Sequence, residues 1–86
     1  MTRTWKLLFE QQPTEFLRPA RGMAARRLRV QLERLLAHPL AEPDAQGRSA
    51  DGREYYTRRT PDHSIAYWLD FPVREIRVIE VVKIKR

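Results

Sequence analysis

The 86-residue chain contains no cysteine. That absence excludes a disulfide framework, a thiol nucleophile and a thiolate zinc site, and it fits a reducing compartment. Histidine is scarce as well. His38 and His63 are the only two, so a structural metal site is not expected, and neither is a cofactor. No apolar run approaches the length of a membrane span. The N-terminus lacks the basic-then-apolar pattern of a secretory signal. The expectation is a soluble, cytoplasmic protein with no membrane partner.

Acidic residues are in deficit. Lys and Arg number 17 against 11 Asp and Glu, a net charge of +6 and a pI near 10.5. This balance favours a polyanion or an acidic protein partner, although a basic surface also serves solubility alone. The length implies one domain, 1–86, and a core of modest stability.

The apolar residues that are present fall into distinct periods. Trp5, Leu7 and Phe9 alternate along Thr2 to Glu10, the period of a strand. Pro13 suits the first turn of a short helix reaching Arg18, anchored by Phe16 and Leu17, with Pro19 ending or kinking it. After Gly22, the stripe Leu28, Leu32, Leu35 and Leu36 predicts a helix from Met23 to Ala37. Pro39 stops it near His38. Leu40 to Gly52, holding Pro43 and Gly47, reads as one long loop. Three strands follow, at Arg53–Arg59, Ser64–Phe71 and Glu75–Lys85. The expected fold is α+β: an N-terminal strand, two helices, then three strands, forming a mostly antiparallel four-stranded sheet with the helices on one face.

The stretch "REYYTRRTPDHSIAYW", Arg53 to Trp68, is the densest in reactive and stacking side chains. A four-residue turn over Thr60–His63, with Pro61 at a central position, pairs Arg59 with Ser64, Thr57 with Ala66, Tyr55 with Trp68 and Arg53 with Asp70. These eight share one face. Arg58, Tyr56 and Glu54 then lie opposite Ile65, Tyr67 and Leu69, the side expected to meet the leucine stripe. A one-residue slip would exchange the faces. Arginines beside aromatics suit nucleic acid, since guanidinium groups pair with phosphates and rings stack on bases. Cross-strand aromatic pairing and a surface Arg53–Asp70 ion pair explain the same pattern without a ligand.

His63 titrates near neutral pH and could move a proton, or be a plain exposed turn residue. Lys83 and Lys85 share a face of the last strand, where they extend a basic surface or blunt a sheet edge. Arg26, Arg27, Arg29 and Arg34 lie largely away from the leucine stripe. They could bind RNA or dock an acidic helix.

The order of these segments resembles the RelE/ParE superfamily of small bacterial toxins. The likeness rests on the strand with Trp5 and Phe9, the leucine-striped helix ending in "HP", and strands reading "REYYTRR", "HSIAYWL" and "EIRVIEVVKI". The resemblance implies a toxin made with a cognate antitoxin. In its RelE form the toxin would cut messenger RNA on the ribosome. In its ParE form it would inhibit DNA gyrase instead. By this likeness Arg59 and Lys83 match basic residues at the ends of the second and last strands, where charge on a scissile phosphate is stabilised. His63 and Ser64 stand where many members have arginine, and Ile84 stands where another arginine would be expected. The C-terminal tyrosine segment of RelE enzymes does not appear before Arg86. The expected catalytic residues are therefore Arg59, His63 and Lys83. Those expected to hold RNA are Arg53, Tyr55, Arg58, Trp68 and Lys85.

Overall fold

The computed structural model describes residues 4–17 and 21–84. The chain runs β1 (Lys6–Phe9), α1 (Gln11–Leu17), α2 (Gly22–Ala37), β2 (Ala45–Arg48), β3 (Glu54–Arg59), β4 (His63–Asp70) and β5 (Glu75–Lys83). The expectations placed on Arg18, Pro19, Lys85 and Arg86 lie outside the described residues. The α+β class holds. The sheet, however, has five strands in the order β1-β5-β4-β3-β2, where four were expected.

The extra strand is β2, cut from the stretch read as a loop. Its sequence AQGR has no β-branched or aromatic residue, so propensity gives no sign of it. Pairing creates it: Ala45 to Arg48 run antiparallel to Thr57 to Glu54. A Cβ on Gly47 would meet the Tyr55 hydroxyl at 2.6 Å. Glycine there lets the Tyr55 ring lie over the edge strand.

The pairing is mixed. β2, β3, β4 and β5 form antiparallel neighbours, whereas β1 joins β5 in parallel, with Lys6 opposite Glu75 and Phe9 opposite Val78. A parallel partner requires a long crossover, which is supplied by everything from α1 to β4. β1 stops at Phe9 while β5 continues to Lys83. The exposed edge of β5 is closed by a side chain. Gln12 Nε2 donates to the Val81 carbonyl at 2.8 Å, and the Val81 N–H donates to Gln12 Oε1 at 2.9 Å. The carboxamide thus satisfies both backbone groups as a strand would.

One face of the sheet carries the core. Leu28, Leu32 and Leu35 of α2 cluster with Ile65, Tyr67, Ile76, Val78 and Val81, and Phe16 and Leu17 of α1 pack against them. The offsets of four and seven residues put the leucines on one side of the helix. A bulge between Ala66 and Tyr67 shifts the β4–β5 register by one. This is why Val78 and Val81, three apart, both point into the core. α2 ends as the sequence predicts, with the His38 N–H donating to the Arg34 carbonyl at 2.9 Å just before Pro39.

Candidate nucleic-acid interface

The β3–β4 register is Tyr56 with Tyr67, Thr57 with Ala66, Arg58 with Ile65 and Arg59 with Ser64, as the turn predicts. Directly opposed residues share a face. Ile65 and Tyr67 are fully buried, so Thr57, Ala66, Arg59 and Ser64 belong to the other face. No described helix covers that face.

Trp68 is the centre of this open face. The Arg53 guanidinium lies over its ring, 3.9 Å from the centroid, and that of Arg77 lies 5.4 Å away. Both are within cation–π range. Arg53 stacks on Trp68 rather than forming the ion pair with Asp70 that the ligand-free alternative offered. Arg77 is the residue that sequence reasoning missed. It stands directly opposite Trp68 on β5. A four-residue turn over Phe71–Arg74 would have placed it there, counting back from Asp70 and Glu75. Arg77 is steadied by Glu75 at 3.2 Å. Tyr55, over Gly47, adds a second ring. The face therefore offers two aromatic surfaces with guanidinium groups beside them. This arrangement can stack unpaired bases and pair with their phosphates.

The other expected residues are placed differently. Arg58 sits on the helix side. It donates to the Ala41 carbonyl at 3.1 Å and the His38 carbonyl at 3.5 Å, and its Nε lies 3.4 Å from the Tyr67 hydroxyl. It holds the end of α2 and the following loop against the sheet, so its donors are directed into the protein rather than toward RNA. The cause is parity: Arg58 shares the face of Ile65.

His63 is not an exposed turn histidine. It is only 5% exposed, and its ring meets Phe16 edge-on at 5.5 Å. Nδ1 is buried with no hydrogen-bond partner among the described residues. Burial lowers its pKa below the usual 6.5; Asp62 opposes that shift, while Lys83 and Arg27 add to it. That shift favours the neutral imidazole, which lies against Phe16 of α1. Thr60 fixes the turn before it, its Oγ accepting from the N–H groups of Asp62 and His63 at 3.1 and 2.8 Å. Arg27 of α2 anchors the same turn through Asp62 at 2.7 Å.

Lys83 pairs across the ladder with His63, and Arg59 pairs with Ser64. The three expected catalytic residues therefore surround one turn at one end of the sheet. By the alternation of the pleat, however, His63 and Lys83 face the helix side and Arg59 faces the open side. β2 pairs no further than Thr57, so Arg59 stands at a local edge. Lys85 lies outside the described residues.

No group of three or more His, Cys, Asp or Glu among the described residues is arranged to hold a metal ion. None of the described helices is long and apolar enough to cross a membrane. Neither a protein-family model nor a curated protein sequence matches the chain.

Proposed function

We propose that the protein is a toxin of the RelE/ParE type that engages single-stranded RNA on its open sheet face and thereby inhibits translation. The observation that carries this reading is Trp68 with Arg53 and Arg77 against its ring, on a face that no described helix covers. Stacking would supply affinity without sequence preference. The guanidinium groups would supply the salt-dependent part. Arg59, next to Ser64 on the same face, is the residue best placed to stabilise charge on a phosphate of the bound strand. A cognate antitoxin is the partner that such a toxin would need.

Cleavage of ribosome-bound messenger is the RelE-like form of this reading. Purified protein incubated with translating ribosomes would then yield shortened messenger, and the Arg59→Ala variant would not. Intact messenger at protein levels that stop growth would reject cleavage. A second reading, binding without cleavage, is favoured by the burial of His63 beneath Phe16. That burial keeps the candidate proton carrier from a substrate unless α1 moves.

A further inference from the structure

A small hollow of about 140 Å³ opens on the helix side of the sheet, between β3, β4 and the loop that follows α2. Tyr67 lines it and is 1% exposed, with Tyr56 opposite it on β3. The hollow is therefore on the other face from the Trp68 stack. Leu40 and Phe71, both largely exposed, lie at its mouth. Its walls are pinned. Arg58 donates to the His38 and Ala41 carbonyls at 3.5 and 3.1 Å. At the far end of the loop the Asp44 N–H donates to the Thr57 carbonyl at 2.9 Å, and the Arg59 N–H donates to Asp44 Oδ2 at 2.7 Å. Pro39 and Pro43 stiffen the backbone between these ties. The Phe71 ring meets Trp5 edge-on at 5.6 Å, and the Tyr56 and Tyr67 rings lie 5.7 Å apart. A site whose walls are already ordered loses little entropy when it is filled.

We propose that this hollow binds a neutral, single-ring aromatic molecule bearing one hydroxyl group, a phenol. Size sets the first limit. Apolar cavities of about 150 Å³ take up one benzene ring, and a helix or a nucleotide does not fit in such a space. Charge sets the second. None of the described residues that line the hollow is charged, so an ion would lose its water without compensation. The lining then favours a flat ring over a saturated one. Tyr56, Tyr67 and Phe71 all line the hollow, and an incoming ring finds offset or edge-to-face partners among them. The hydroxyl has a partner as well. The Tyr67 hydroxyl lies 3.4 Å from Arg58 Nε and is the acceptor in that contact. No described residue accepts the Tyr67 proton, and a phenol oxygen can do so. This inference is independent of the RNA reading, because none of the lining residues belongs to the open face.

The test is a titration of the full chain with phenol, followed through the methyl groups in a carbon-13 spectrum. The Leu40 and Leu69 methyls, at the hollow, are expected to shift to saturation with a Kd at or below about 1 mM, which a ligand of this size can supply. The Val82 methyls, on the open face opposite Ser64, are expected to stay in place. Cyclohexanol is expected to bind roughly two- to twelvefold more weakly, the fold-change that aromatic pairing gives. Benzoate is expected to bind more weakly than phenol because of its charge. Ala41→Phe, which fills the hollow, is expected to remove phenol binding, and Phe71→Ala to weaken it several-fold. Circular dichroism checks that both variants fold. If Ala41→Phe does not fold, Phe71→Ala, at a largely exposed position, decides. Trp68→Ala is expected to weaken oligouridylate and leave phenol unaffected, which separates failure of this proposal from failure of the RNA reading. Absence of a saturable shift up to about 10 mM phenol would overturn the proposal. So would cyclohexanol or benzoate binding as tightly as phenol, or unchanged phenol affinity in a folded variant of the hollow.

Discussion

The Arg53 guanidinium covers the Trp68 ring at 3.9 Å, and this contact decides how the open face can work. A base stacking on Trp68 must share or displace that guanidinium. The cation–π contact contributes about 0.5–1 kcal/mol at an exposed site, less than the ~1–3 kcal/mol per base that stacking supplies, so exchange is favourable. Trp68→Ala is expected to weaken single-stranded RNA binding by roughly 5- to 150-fold, the range those stacking energies give. Fluorescence anisotropy with a labelled oligonucleotide measures it.

Arg58 is expected to behave oppositely to Arg53. Its hydrogen bonds run to the Ala41 and His38 carbonyls, both on exposed residues, so Arg58→Ala leaves these acceptors to water. A loss of about 0.5–1.5 kcal/mol in stability is expected, with RNA affinity of the folded protein unchanged. Urea unfolding paired with the anisotropy assay reads both. A large affinity loss at unchanged stability would return Arg58 to the RNA-binding set.

Gln12 is tied to the sheet through both its donor and its acceptor. Replacing it with glutamate keeps the shape but removes the amide donor facing the Val81 carbonyl. Both Gln12→Ala and Gln12→Glu are expected to destabilise by about 1–3 kcal/mol. Amide hydrogen exchange at Val81 is expected to rise in Gln12→Ala, since its N–H loses Oε1 as acceptor.

His63 predicts a pH dependence of stability. Its folded-state pKa is lowered from 6.5, chiefly by burial. Between the folded and unfolded values the unfolded chain therefore binds more protons. Stability is full above about pH 6.5 and falls as the pH drops toward the folded value. His63→Phe is expected to flatten that part of the profile, measured as urea midpoints between about pH 7 and 5. A profile identical to that of the unaltered protein would show that His63 does not titrate on unfolding.

Much of this architecture is legible in the chain, and what escaped has identifiable causes. The β3–β4 register followed from one short turn, because a turn of fixed length fixes every pair beyond it. The leucine stripe named the core side of α2 in the same way. β2 escaped because AQGR has no intrinsic strand signal and exists through its pairing with β3. The burial of His63 escaped because the ring covering it, Phe16, arrives from α1, 47 positions earlier in the chain. Arg58 stands among the residues expected to hold RNA, yet the same turn that fixes the register puts it on the side of Ile65, away from Arg59. The parallel placement of β1 against β5 is set by the crossover through the helices, which no local pattern encodes.

The central claim, that RNA meets the open face at Trp68, has an internal control in the chain's only other tryptophan. Trp5 packs edge-on against Phe71 at 5.6 Å. Two indole N–H resonances can therefore be followed in a nitrogen-15 spectrum while a single-stranded oligonucleotide is added. The account predicts that the Trp68 indole shifts progressively to saturation while the Trp5 indole stays in place. An unmoved Trp68 indole at saturating RNA would contradict it.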